Sequence, residues 1–134
     1  MIRICALALL ACLASPMVAS AQMSDDQTRQ IITMTKANWV AFRDWDGRQL
    51  VYFTHLEAWK CGIEAVHYGL NDAPVETVWQ LEPCNPKAPN AVTKEMPYIS
   101  LPANSAKSIS VQLTFKDGTR SAVETFAYDP ATAQ

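Results

Sequence analysis

The sequence has no excess of basic residues. Eleven Lys and Arg stand against thirteen Asp and Glu, the formal net charge is −2 and the sequence pI is near 5.6. That balance argues against a general nucleic-acid binder, which carries a basic stripe. Beyond residue 21 no run is long and apolar enough to cross a bilayer. Histidine occurs twice and glycine four times. There is no Gly-x-Ser-x-Gly nucleophile elbow, and Ser100, Ser105, Ser108 and Ser110 lie without one in a polar, strand-like region. Internal repeats and low-complexity tracts are missing as well. What is there suits one folded domain: 134 residues, 49% hydrophobic and 18% charged, too apolar for a disordered chain.

The N-terminus reads as an address. Arg3 supplies a positive charge, residues 4–13 form an unbroken apolar run, Pro16 ends it, and Ala19-Ser20-Ala21 gives the small–x–small pattern of a signal peptidase site. The expectation is a secretory signal peptide over residues 1–21, cleaved before Gln22, with the mature protein periplasmic or secreted. The run is short for a membrane anchor. Leu9-Leu10-Ala11-Cys12 resembles a lipobox, but Cys12 comes so early that lipidation there ranks behind ordinary cleavage. Cleavage leaves residues 22–134 as a single domain with a net charge of −3, since Arg3 departs and no acid does. Cys5 and Cys12 leave too. Cys61 and Cys84 remain, and in an oxidising compartment an even pair reads as one disulfide.

The mature chain alternates in the period of strands. Runs 39–43 and 50–54 flank Asp46-Gly47, the strongest short signal for a hairpin, because both central residues of its turn need φ > 0. Pairing Trp45 with Arg48 sets Phe42 opposite Val51 and Val40 opposite Phe53, and leaves the second face with Trp39, Ala41, Leu50 and Tyr52. Runs 63–70 and 75–81 flank a turn cluster at 71–74. This hairpin pairs Val66 with Trp79 and Leu70 with Val75, and brings Cys61 opposite Cys84. Runs 109–115 and 120–128 flank Asp117-Gly118; the register of the return strand depends on whether the loop has two or three residues. The stretch 82–97 holds Pro83, Pro86, Pro89 and Pro97 and is expected to be extended and irregular. Residues 98–101 suit an edge strand. Ser24-x-x-Gln27 resembles a helix cap, though β-branched Ile31-Ile32-Thr33 limits the expected helix to one turn. Seven or eight short strands and one disulfide predict an all-β fold, a small antiparallel β-sandwich like immunoglobulin or fibronectin type III domains in architecture only.

Catalytic chemistry is sparse. His55 and Glu57 would share a face if their strand continued, and His67 could add a third ligand, but the spacing is not diagnostic and nothing local brings His67 near His55. Asp44-x-Asp46-Gly47 opens like a calcium loop without the later oxygen ligands. No metal site is assigned and no cofactor is expected. The twelve Trp, Tyr and Phe residues are more informative. Trp79 points inward in the second hairpin. Trp39, Trp45 and Tyr52, flanked by Arg43, are harder to bury together, and exposed aromatics on a flat strand face stack on sugars or anchor a protein partner. Lys87 projects from the rigid Cys84–Pro89 loop. The reading is an exported, non-catalytic domain that binds a protein or glycan partner in the envelope or outside it: an adaptor, accessory subunit or inhibitor. The alternative is a small periplasmic enzyme, metal-assisted through His55, Glu57 and His67.

Overall fold

A computed structural model describes residues 23–134; the leader expected over residues 1–21, with Cys5 and Cys12, lies outside them. The described chain opens with helix α1, Asp25–Met34, where one turn was expected. Its start is a complete capping box: Gln27 N–H donates to Ser24 Oγ at 3.2 Å and Ser24 N–H to Gln27 Oε1 at 3.0 Å. Asp25 and Asp26 complement the positive end of the helix. The β-branched run costs a few tenths of a kcal/mol per residue in helix propensity, and full burial of Ile32 outweighs it. The helix lies close against the 3₁₀ turn Lys60–Gly62, where a Cβ on Gly62 would collide with the Thr28 side chain.

Seven strands follow in two antiparallel sheets. The first sheet has the order β1 (Ala41–Trp45), β2 (Arg48–Tyr52), β5 (Tyr98–Pro102). Asp46 at φ 50° and Gly47 at φ 70° form the expected turn, and Trp45 pairs Arg48 and Phe42 pairs Val51 as read from the sequence. The ladder stops at Ala41 and Tyr52, short of Val40 and Phe53. Residues 98–102 do form an edge strand, on β2.

The second sheet has the order β4 (Thr77–Trp79), β3 (Ile63–Leu70), β6 (Ser108–Phe115), β7 (Glu124–Ala127). Val66 pairs Trp79 and the Cys61–Cys84 disulfide closes the open end of that hairpin, both as expected. The expected Leu70–Val75 pair does not form, because β4 has only three residues and the loop before it folds back over β3. Gly69 permits this: a Cβ there would strike the Ala73 and Pro74 backbone. On its other edge Leu70 pairs Ile109 of β6.

The third hairpin combines both loop readings. Its tip is a three-residue loop, with Phe115 N–H donating to Thr119 O and Gly118 at φ 84°. One extra residue is then taken up over residues 121–123, between the Thr114–Arg120 bridge and the Val111–Glu124 pair. Ser121 fills the gap, its Oγ accepting from Leu113 N–H at 2.9 Å. The bulge restores the two-residue register, so Phe126 packs on the core.

Both sheets contribute to one apolar cluster, Val51 and Phe53 beside Val66, Trp79, Ile109, Val111 and Leu113. Phe53 stacks on Trp79 with ring centres 4.5 Å apart. Gln49, fully buried on the inner side of β2, donates through Nε2 to Ala106 O at 2.9 Å and accepts Ala106 N–H on Oε1 at 2.8 Å. The last residues run along β1, where Asp44 N–H donates to Ala133 O, and Tyr128 donates its hydroxyl to Asp44. That hydrogen bond to a carboxylate holds the Tyr128 hydroxyl pKa above the ordinary tyrosine value. No helix among the described residues is long and apolar enough to cross a membrane.

Candidate functional site

Side chains along a strand alternate between faces, so the pairing of β1, β2 and β5 fixes which residues share each side. Phe42, Gln49, Val51 and Ile99 share the inner side. The outer side has three rows: Ala41–Tyr52–Tyr98, Arg43–Leu50–Ser100 and Trp45–Arg48–Pro102. At its centre Leu50 is only 6% exposed. Trp45 is 59% exposed, and the Arg43 guanidinium lies over its ring, 4.3 Å from the centroid. Tyr52 and Tyr98 lean together with ring centres 4.9 Å apart. Arg48 donates through Nε to Ser100 Oγ and through Nη2 to Ser100 O, each at 3.1 Å. These contacts fix long side chains in place before any ligand arrives, which lowers the entropy cost of binding. The outer side of the other sheet is different in kind, with Ser110, Gln112, Thr114, Thr125, His67 and Val78.

Arg43, Trp45 and Tyr52 therefore share one side of the sheet, Arg43 and Trp45 exposed and Tyr52 half-buried. Trp39 does not join them. It is 1% exposed, with its indole N–H donating to Ile32 O at 2.9 Å. The 3₁₀ turn Lys36–Asn38 reverses the chain before β1 and turns the ring into the core, against Phe126. Lys87 is exposed on the loop beyond Cys84, off this face. Tyr98 and Arg48 are the members that sequence reasoning missed. Arg48 was legible from the hairpin register, two positions from Leu50 on the same side. Tyr98 needed the β2–β5 pairing, which joins segments too far apart in sequence for local pattern to reveal.

The His55–Glu57–His67 grouping does not form. Residues 54–58 are a short helix, α2 (Thr54–Ala58), and not a continued strand. Two residues along a helix turn by about 200°, so His55 and Glu57 point apart. Glu57 is fully buried, accepting the Trp79 indole N–H at 2.9 Å and Glu82 N–H at 3.3 Å. His67 lies on β3 between Val78 and Gln112. Among the described residues no group of three His, Cys, Asp or Glu could hold a metal ion. Asp44 and Asp46 are parted likewise, Asp44 inward with Tyr128 and Asp46 in the turn.

His55 is half-buried, and that burial lowers its imidazole pKa below the ordinary 6.5. Its Nε2 lies 2.9 Å from Thr35 Oγ1, whose own proton goes to Ile31 O at 2.7 Å. His55 lines a cleft of about 470 Å³ with Asn38, Ala41, Tyr52 and Thr54, at the Tyr52 end of the outer face. A second cleft, of about 480 Å³, runs beside the disulfide between Met23, Thr28, Trp59, Pro86 and Pro89.

These features define a mostly β protein, two antiparallel sheets and two short helices stapled by one disulfide, with an aromatic and arginine-bearing outer face. Comparison with models of known families, with characterised proteins and with solved structures finds no match.

Proposed function

We propose that the protein is an exported, non-catalytic β-sandwich domain that binds a protein or glycan partner through the outer face of β1, β2 and β5. The observation that carries this reading is Trp45, a large aromatic exposed on a sheet face and held by Arg43 at 4.3 Å. A ring left in water gains nothing for the fold, whereas Trp, Tyr and Arg dominate the energetic centres of binding surfaces. The sandwich reading draws support from the single core to which both sheets contribute. Immunoglobulin-like architecture remains an analogy of shape, since this disulfide joins the ends of one hairpin. Export draws support from the Cys61–Cys84 bridge, a bond that persists in oxidising compartments.

The test is affinity capture from envelope and secreted fractions with wild-type, Trp45→Ala and Lys87→Ala baits, each checked for folding by circular dichroism. A partner retained by wild type and by Lys87→Ala but lost with Trp45→Ala supports the face. Loss with Lys87→Ala alone moves binding to the proline-rich loop, and equal capture by all three removes the reading.

A further inference from the structure

The proposed face has a charge that the rest of the molecule does not share. Outside the expected leader the chain carries three more acidic than basic side chains, yet the three outer rows of β1, β2 and β5 contain Arg43 and Arg48 and no carboxylate. Elsewhere Arg29, Lys36, Lys94 and Lys116 each sit within ion-pair distance of an acid, while Lys60, Lys87, Lys107 and Arg120 do not but are not gathered on one carboxylate-free sheet face. Neither Arg43 nor Arg48 has such a partner among the described residues. Of the two acids nearest along the chain, Asp44 lies on the inner side with Tyr128 and Asp46 belongs to the turn at the end of the face. Two guanidinium groups, oriented by Trp45 and Ser100 and left unneutralised, call for an anionic ligand.

Size narrows the class. Three strands about 4.8 Å apart and five residues long at about 3.4 Å each make a plane of roughly 15 by 17 Å. That is on the order of 250 Å², against about 800 Å² per partner in a stable protein interface. Even doubled for side-chain relief, the face is too small to hold a folded protein by itself. A short oligomer lying flat on it fits. The chemistry narrows it again. Trp45, exposed with Arg43 over one side of its ring, and the half-buried Tyr52–Tyr98 pair supply aromatic rings of the kind that pack on the apolar C–H faces of pyranose rings. Arginine suits planar carboxylates, which it meets with two parallel hydrogen bonds. A row of rings alternating with carboxylates describes a chain of uronic acids.

Resting on the binding reading above, we propose that the outer face of the three-stranded sheet binds a short acidic oligosaccharide, with Trp45 and the Tyr52–Tyr98 pair stacking on sugar rings and Arg43 and Arg48 holding carboxylates. The probe is hexagalacturonate. Its fully methyl-esterified form keeps the rings and loses the charge, and hexaglutamate is an acidic peptide of like charge. Binding to the purified, disulfide-bonded protein is measured by titration calorimetry and by tryptophan fluorescence. The expected result is saturable binding of hexagalacturonate, weakened about tenfold or more by Trp45→Ala and by Arg43→Ala/Arg48→Ala. Lys116→Ala, at the tip of the β6–β7 hairpin of the other sheet where it pairs Glu64, leaves it unchanged. Binding weakens in about 0.5 M salt, and the ester binds at least about tenfold more weakly than the acid.

Equal affinity for acid and ester overturns the proposal, as does binding that survives both face variants. Hexaglutamate binding more tightly than the sugar through Trp45 also overturns it while leaving the face as a binding surface. Failure of wild type to bind hexagalacturonate overturns it too, and the capture comparison of Trp45→Ala then judges the broader reading on its own. Circular dichroism and urea midpoints of the variants separate lost binding from lost folding.

Discussion

Gln49 offers the sharpest test of how the two sheets are held together. It is fully buried on the inner side of β2, and its amide makes a reciprocal pair of hydrogen bonds with the backbone of Ala106, itself fully buried between β5 and β6. Gln49→Leu keeps the volume and leaves the Ala106 N–H and C=O without a partner. Each stranded group costs about 1–3 kcal/mol, and burying the new methyl groups returns about 1–2 kcal/mol. Taking the middle of each range, the expected net loss is about 2.5 kcal/mol. Gln49→Glu is more discriminating. A carboxylate can accept from Ala106 N–H but meets Ala106 O with a like partial charge. Burial raises the pKa of such a carboxyl above its unfolded value, so the variant is least destabilised at acid pH and loses stability as pH rises through the folded pKa. Protonated, it donates to Ala106 O much as the amide does. The assay is urea unfolding followed by fluorescence and circular dichroism at about pH 5 and about pH 7, each variant compared with wild type at the same pH. A Gln49→Leu protein within about 0.5 kcal/mol of wild type, or a Gln49→Glu deficit equal at both pH values, would refute this account of the link.

The remaining predictions concern the staple, the buried tryptophan and the half-buried histidine. Replacing Cys61 and Cys84 by alanine opens a loop of sequence separation 23 and is expected to cost about 3 kcal/mol in chain entropy, read as a lower urea midpoint; an unmoved midpoint would count against the bridge as a stabilising element. Trp39→Ala should cost about 3–5 kcal/mol, while Trp45→Ala should stay within about 0.5 kcal/mol of wild type; similar losses would contradict the placement of the two rings. The His55 ring should titrate below 6.5 in a proton NMR series. Because its folded pKa is depressed, its contribution to stability is complete above 6.5 and declines as pH falls through the folded value. His55→Gln should remove that part of the slope.

Local chemistry made much of this fold legible. Asp46-Gly47 fixes the first hairpin because its backbone angles admit few residues, and a register once fixed assigns every side chain on both strands. The turn cluster at 71–74 placed the second, and the register it implied set Cys61 opposite Cys84, where the disulfide forms. The alternation of Ile109, Val111, Leu113 and Phe115 fixed the buried side of β6. What escaped was set by contacts distant in sequence. Helix α1 forms over β-branched residues because Ile32 is buried in the core. Residues 54–58 leave the strand where Phe53 N–H donates to Pro97 O, which no pattern within either segment announces. Trp39 illustrates the limit at the site: its composition suited a surface, and a single 3₁₀ turn sent it inward. Arg43, Trp45 and Tyr52 stayed legible because one hairpin carries all three.

The bulge at residues 121–123 bears on how this chain can change length. It holds one residue more than the opposing strand needs, so deleting Ala122 would leave Val111–Glu124 and Ile109–Phe126 paired and merely straighten the hairpin. The Asp46-Gly47 turn has no such slack. A residue lost or gained there shifts the register by one, turns Trp45 and Arg43 toward the core and sends Phe42 into water. One hairpin is thus open to insertions and deletions, and the one that carries the proposed binding face is closed to them.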